Sequence, residues 1–168
     1  MSDIVNKVEK SGLITIDLED FYPTEPRKVF DLKEFLYQEL VLKEKDFRQN
    51  LKDFNWEIYK NSYVAIHCSS EAIIPSWGYL LVATYLTDIA KHISFGSLEE
   101  LERDIYTKII QEFDVNPYKD KKVIIKGCSG KPIPQNAYVQ LVQKLKPMVF
   151  SLMYGEACST VPIYKQKK

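Results

Sequence analysis

The sequence predicts an α/β domain with a mostly parallel sheet that is flanked by helices. Apolar runs of strand length, such as residues 63–67 and 123–125, alternate from residue 62 onward with segments whose apolar residues recur at helical spacing. Glycine and proline residues interrupt the chain after these strands. The 168 residues are 45% hydrophobic, enough for a core without disulfide staples. We therefore expect a single domain over residues 1–168, with a strand–helix N-terminal part (1–60) and an α/β core (61–168).

In the N-terminal part, apolar and polar residues alternate over residues 12–18 and predict a first strand. Residues 24–27 have the composition of a loop. Asp31 and Glu34 form a capping box that opens a short helix, and a second helix is predicted from Asp46.

The core is predicted to contain alternating strands and helices. Its second helix is preceded by the capping box of Ser97 and Glu100, and its third follows Pro134. The basic residues 164–168 are expected to form a frayed terminus. In chain order, the predicted elements are a strand at 63–67, a helix at 76–91, a strand at 92–96, a helix from 98, a strand at 123–125, a helix from 135 and a strand at 149–154.

Charge and composition argue against several classes of partner. The 23 basic and 23 acidic side chains give a formal net charge of zero, so no global field attracts nucleic acid or an acidic membrane. No apolar run approaches the roughly 20 residues that span a bilayer, and residues 1–7 lack the pattern of a secretory signal. Three cysteines are too few and odd in number for a disulfide framework. We therefore expect a cytoplasmic protein without nucleic-acid or membrane partners.

The three cysteines share one local pattern. Cys68, Cys128 and Cys158 are each followed by serine and, within a few residues, by proline. Cys68 and Cys128 also follow predicted strands that are themselves followed by helices. Because the carboxyl ends of parallel strands meet at one edge of a sheet, we expect Cys68 and Cys128 to lie together there.

Three interpretations of these cysteines stay open. Cys68, Cys128 and Cys158 are candidate ligands for zinc or an iron–sulfur cluster, with a fourth position that is open or filled from one further side chain. Cys128 is alternatively the reactive thiolate of a sulfur-transfer or redox enzyme, stabilised by Lys126, Lys131 and the start of the following helix. All three are otherwise small apolar residues of the core. The candidates for the fourth ligand are His67, His92, Glu71 and Glu156.

Two further features have competing interpretations. Asp17, Glu19 and Asp20 are candidate Mg²⁺ ligands or a solvated strand end. The helix at 76–91 is apolar on nearly all sides, which predicts either a deeply packed helix or the interface of a homodimer or other interaction protein.

Four segments resemble a bacterial family of unknown function whose members have about this length. The segments are 13–21 (LITIDLEDF), 42–48 (LKEKDFR), 125–129 (IKGCS) and 153–162 (MYGEACSTVP). The resemblance implies a gene neighbourhood shared with the sulfur-mobilisation machinery of iron–sulfur assembly. It therefore implies iron–sulfur assembly proteins as partners and thiol or metal chemistry at the three Cys-Ser positions. It supplies no catalytic residues.

Overall fold

The computed structural model describes residues 12–127, 130–156 and 159–168, and its alternating strands and helices confirm the α/β class. The chain divides into two compact units. The inserted unit is Thr24–Ile105, and the split unit comprises the chain up to Pro23 together with Tyr106–Lys168. The single domain, and its division at residue 60, stay predictions.

The inserted unit contains a three-stranded sheet in the order β2–β3–β4, and all its pairings are parallel. The central strand is buried along nearly its whole length, which is why it was predictable as a continuous apolar run. Its elements are β2 (Arg27–Asp31), a 3₁₀ helix (Leu32–Phe35), α1 (Glu44–Asp53), a 3₁₀ helix (Trp56–Tyr59), β3 (Tyr63–His67), α2 (Ser76–Thr87) and β4 (His92–Phe95).

The split unit contains a four-stranded mixed sheet in the order β1–β5–β6–β7, in which only the β6–β7 pairing is antiparallel. Helix α3 (Leu98–Glu112) contains the boundary between the two units. The elements of the split unit are β1 (Leu13–Ile16), a 3₁₀ helix (Leu18–Phe21), a 3₁₀ helix (Asn116–Tyr118), β5 (Lys122–Ile125), α4 (Gln135–Leu145), β6 (Ser151–Glu156) and β7 (Ser159–Lys165).

The segment β3–α2–β4 of the inserted unit corresponds to the segment β5–α4–β6 of the split unit. Matched residues differ by 59 in number, as Tyr63 and Lys122 do at the starts of the two central pairings. Each central strand is in register with a strand 29 residues later, as His92 is with Tyr63 and Ser151 is with Lys122. Pro75 and Pro134 occupy the N-cap positions of α2 and α4. The helix residues buried against each core also correspond: Gly78, Val82 and Leu86 in α2, and Ala137, Leu141 and Leu145 in α4.

Side-chain contacts also recur between the two units, with a difference of 59 for every matched residue except Phe35 and Phe21, which precede the repeated segment and differ by 14. Two edge-to-face aromatic pairs in the inserted unit have counterparts of the same geometry in the split unit. Gly96 and Gly155 also correspond, and both have a φ of +124°. Gly96 follows Phe95, the last residue of β4 paired with β3, and Gly155 follows Tyr154, the last residue of β6 paired with β5. The paired contacts are Phe35–Phe54 (5.4 Å) with Phe21–Phe113 (5.4 Å), and Tyr79–Phe95 (5.0 Å) with Tyr138–Tyr154 (6.0 Å).

Two strands were missing from the sequence prediction. Residue 27, assigned to a loop, begins β2, and residues 164 and 165, assigned to a frayed terminus, belong to β7. Both strands lie at the edge of a sheet and are mostly half-exposed or exposed, so neither has the apolar pattern of a buried strand. Pro162 is tolerated in β7 because an edge strand need not donate from every N–H.

The prediction that Cys68 and Cys128 follow neighbouring strands of one sheet is wrong. Cys68 follows β3, whereas Cys128 follows β5, and these strands are the centres of different sheets. Hydrophobic periodicity identifies strands but not their partners, and each of these strands pairs within its own unit. Cys128 itself lies outside the described residues.

Within the described part of the chain, no helix combines the length and apolar character needed to cross a membrane.

Replacing Gly96 or Gly155 by alanine is expected to destabilise the fold, because L-residues rarely adopt a φ of +124°. A Cβ on Gly155 would lie 2.5 Å from the carbonyl oxygen of Ser159, whereas one on Gly96 would displace only the flexible Glu100 carboxylate. Urea unfolding should show losses of about 1–3 kcal/mol, larger for Gly155→Ala.

The matched control is Gly130→Ala, since the nearest atom to its Cβ would be the Glu19 side chain at 3.5 Å. Its effect should be within about 0.5 kcal/mol. Equal stability of all three variants would show that these glycines are not required by the backbone.

Candidate functional site

The loops at the carboxyl ends of the central strands are the candidate functional site in each unit, because ligands of open α/β sheets gather at this edge. In the inserted unit, Asp31 ends β2 beside His67, its register partner at the end of β3. The Asp31 carboxylate accepts a hydrogen bond from the Lys33 N–H (3.0 Å) and so caps the following 3₁₀ helix. The same carboxylate accepts two hydrogen bonds from Ser69, one from the backbone N–H (3.0 Å) and one from the side-chain hydroxyl. One carboxylate therefore ties the outer strand to the loop that follows the central strand.

These hydrogen bonds determine the ionisation of Asp31. Burial of the carboxyl, the largest single effect, raises the pKa of Asp31, but the bonds from Ser69 and Lys33 together outweigh it. The nearby His67 charge acts in the same direction as the hydrogen bonds. The pKa of Asp31 therefore lies below its usual value of 3.8, and the group is an anion at neutral pH.

Cys68 lies in the loop after β3, next to Ser69, which donates to the Asp31 carboxylate. It is a half-buried free thiol whose Sγ is 3.2 Å from the Ser70 Oγ, and it packs against the core of the inserted unit. Burial is the main effect that raises the pKa of Tyr79 above 10.0, and the charges of Cys68 and Asp31 act in the same direction. The surroundings of Cys68 thus include the anionic Asp31 carboxylate, which is bonded to the next residue, Ser69.

The split unit repeats the strand-end aspartate. Asp17 accepts a hydrogen bond from the Glu19 N–H (2.9 Å) and caps its own 3₁₀ helix. Its second oxygen lies 3.3 Å from the Lys126 Nζ, just beyond the end of β5. The Glu19 carboxylate accepts from the Lys131 N–H (2.7 Å) on the other side of the same loop. Both carboxylates therefore hold the loop between β5 and α4.

Lys126 lies among three carboxylates. The hydrogen bond with Asp17, followed by the charges of Asp17, Glu156 and Glu19, raises the pKa of Lys126 above 10.5. The positive charge of Lys126 is thus already paired with the Asp17 carboxylate. This pairing weakens the hypothesis that Lys126 activates Cys128. Asp17, Glu19 and Asp20, which are all described, do not form a group that could hold a metal ion, and Asp17 and Glu19 instead bond to the protein.

An aromatic residue closes the loop on its β6 side. The Tyr154 hydroxyl donates to the carbonyl oxygen of Gly127 (3.3 Å). A Cβ on Gly127 would lie 2.7 Å from the Tyr154 ring, so only glycine permits this close approach without displacing the ring. The chain just before Cys128 is therefore held against β6.

Only one of the three predicted cysteine ligands, Cys68, lies among the described residues. Among the described residues, no group of three or more His, Cys, Asp and Glu side chains has the arrangement of a metal site. Cys128 and Cys158 lie outside those residues, so the set of Cys68, Cys128 and Cys158 stays a prediction. The four candidates for a fourth ligand are divided between the units. Glu156, whose charge acts on Lys126, belongs to the split unit, and His67, Glu71 and His92 belong to the inserted unit.

Sequence analysis identified Asp31 as a helix cap but did not find its bonds to Ser69. A signal was present: residues 31–35 (DLKEF) repeat the pattern of residues 17–21 (DLEDF). In both segments an aspartate caps a 3₁₀ helix and holds the loop after the neighbouring strand. A search for internal repeats would therefore have paired Asp17 with Asp31.

Fold and site together define an α/β protein of two similar units, each with a strand-end carboxylate bonded to the loop after its central strand. The chain belongs to a family described as a protein of unknown function (DUF2480), whose model matches residues 2–166. The comparison with curated proteins gives no match, and neither does that with solved structures.

Replacing Asp31 by alanine is expected to lower the free energy of unfolding by about 1–2 kcal/mol at pH 7, because hydrogen bonds to a charged acceptor are lost. The pKa of Asp31 is lowered in the folded state, so its contribution is present above about pH 4 and disappears as the pH falls through the folded pKa. The stability difference between wild type and Asp31→Ala should shrink accordingly in urea titrations between pH 7 and pH 3.

Asp53→Ala is the control, since that exposed carboxylate bonds to Gln49 one helical turn away on the same helix. A pH-independent difference for Asp31→Ala would contradict the assigned role of the Asp31 charge.

Proposed function

We propose that this protein is a cytoplasmic thiol protein that binds zinc or an iron–sulfur cluster, as an accessory to iron–sulfur or sulfur metabolism. The observation that supports it is the pairing of β5 with β6. These strands are parallel neighbours, with Ile125 in register with Tyr154. Cys128 follows the end of β5 by three residues, and Cys158 follows the end of β6 by two. Neighbouring parallel strands end at one edge of the sheet, so the proposal places both cysteines in loops at this edge.

The described residues next to the cysteines support this arrangement. Gly127 precedes Cys128 and is bonded to Tyr154 of β6. Glu156 and Ser159 are register partners, so only two residues connect β6 to β7, and one of them is Cys158. The proposal takes the two thiols on these connections as a pair of ligands because of their positions in the chain.

The local charges favour a cation over a free thiolate. Lys126 pairs with Asp17, and the charges of Glu156 and Glu19 also act on it. Carboxylates near a thiol disfavour its anion. A bound divalent metal reverses that balance, because it deprotonates its thiol ligands and is itself attracted to the carboxylates. The pairing of Lys126 therefore weakens the argument that this lysine activates Cys128, and it favours the metal-binding proposal.

Cys68 completes the proposed set of three thiolates, although its strand belongs to the inserted unit. The proposed partners are iron–sulfur assembly proteins, and they are inferred from this chemistry and from the sequence resemblance. Substitution of each cysteine in turn distinguishes a site of three thiolates from a site of two.

Protein purified without oxygen or chelator is expected to contain near-stoichiometric zinc or iron by elemental analysis. Cys128→Ser and Cys158→Ser should each lose most of it, because serine is a poor ligand for these metals. Cys68→Ser is the matched comparison: loss of metal makes Cys68 a third ligand, and retention restricts the site to the split unit.

Metal-free protein that also fails to take up zinc, with all three thiols titrating freely, would overturn the proposal. If limiting iodoacetamide then labels Cys128 before Cys68 and Cys158, the function is thiol chemistry at Cys128 instead.

A further inference from the structure

We propose that the outer edge of β4 is a docking surface for a second copy of this chain, which pairs its own β4 with it in antiparallel orientation. In the described part of the chain, β4 pairs with β3 alone. Its counterpart in the split unit, β6, pairs with β5 on one side and with β7 on the other. The structural repeat therefore shows what this edge accommodates, namely one antiparallel strand.

The backbone groups available on β4 can be assigned from its pairing. The Gly96 N–H donates to the Ile66 carbonyl oxygen of β3 (2.9 Å). Backbone groups of successive strand residues point to alternate sides, so those of Ile93 and Phe95 point away from β3. A second strand would bond to these two residues.

The split unit shows the same positions in use. With the difference of 59 in numbering, Ile93 and Phe95 correspond to Leu152 and Tyr154. These are in register with residues of β7, Leu152 with Tyr164 and Tyr154 with Val161. An incoming strand on β4 would thus bond at the positions where β7 bonds to β6.

One apolar side chain of β4, Phe95, is largely exposed. Phe95 is 67% exposed, against 38% for its counterpart Tyr154, which lies opposite Val161 of β7. Phe95 contacts Tyr79 of α2, and Leu80, next to it in sequence, is also exposed. Association over this edge would remove apolar surface from water, which favours binding.

A second copy fits the edge by symmetry. Two identical edge strands related by a twofold axis pair in antiparallel orientation, the orientation that β7 adopts on β6. β4 also lacks proline and lysine, residues by which edge strands commonly avoid such pairing. The formal net charge of zero imposes no overall repulsion between copies.

The test is analytical ultracentrifugation of the full chain over a concentration series, for wild type, Phe95→Lys and Val139→Lys. We expect a concentration-dependent dimer for wild type and for Val139→Lys, whose exposed apolar residue is the counterpart of Leu80 on α4. Phe95→Lys should weaken dimerisation at least tenfold, because it places a charge on the edge while replacing an exposed side chain. Hydrogen exchange on the same samples should show slower exchange of the Ile93 and Phe95 amides at high than at low concentration.

Monomeric wild-type protein throughout the concentration series would overturn the proposal. A dimer that survives Phe95→Lys, with no concentration-dependent protection of the Ile93 and Phe95 amides, would also overturn it and assign dimerisation to another face. Circular dichroism of each variant establishes that the loss of dimer is not a loss of fold.

Discussion

The geometry of both candidate sites depends on one interaction, a strand-end aspartate that bonds forward to a 3₁₀ helix and sideways to a neighbouring loop. Asp31 accepts from Lys33 and from Ser69, and Asp17 accepts from Glu19 while pairing with Lys126. Loops at the end of a parallel sheet have few ladder hydrogen bonds of their own, so a charged acceptor at this place compensates for them. Burial of Asp31 opposes its ionisation, yet its hydrogen bonds keep it anionic. The position of each loop is therefore linked to the charge of one carboxyl group.

The repeat separates what the scaffold requires from what is particular to each unit. Pro75 and Pro134 match between the units, as do the glycines at φ +124°. The cysteines do not match between the units. With the difference of 59 between matched residue numbers, Cys68 corresponds to Gly127, and Cys128 corresponds to Ser69. The prolines and glycines therefore belong to the scaffold that both units share, and this scaffold requires no cysteine at any of the three positions.

The sequence predicts the interior of this fold better than its edges. β3 and β5 were identified because both are apolar on two faces, and the Ser97–Glu100 capping box was identified because its two hydrogen bonds are local. β2 and β7 were missed because an edge strand with exposed side chains lacks an apolar pattern. The separation into two sheets was missed for a different reason. Strand pairing is a long-range choice, and β1 pairs with a strand more than a hundred residues later, across the inserted unit.

The candidate site was only partly predictable for the same physical reason. Local sequence places Lys126 and Lys131 on either side of Cys128 and suggests an activated thiolate. The fold adds Asp17 and Glu19 from a segment that precedes the whole inserted unit, and it adds Glu156 from β6. These distant carboxylates reverse the local electrostatic argument, because they neutralise Lys126 and disfavour a second anion nearby. An activated thiolate requires neighbouring positive charge that is not already paired, and this pairing depends on segments that the local sequence does not contain.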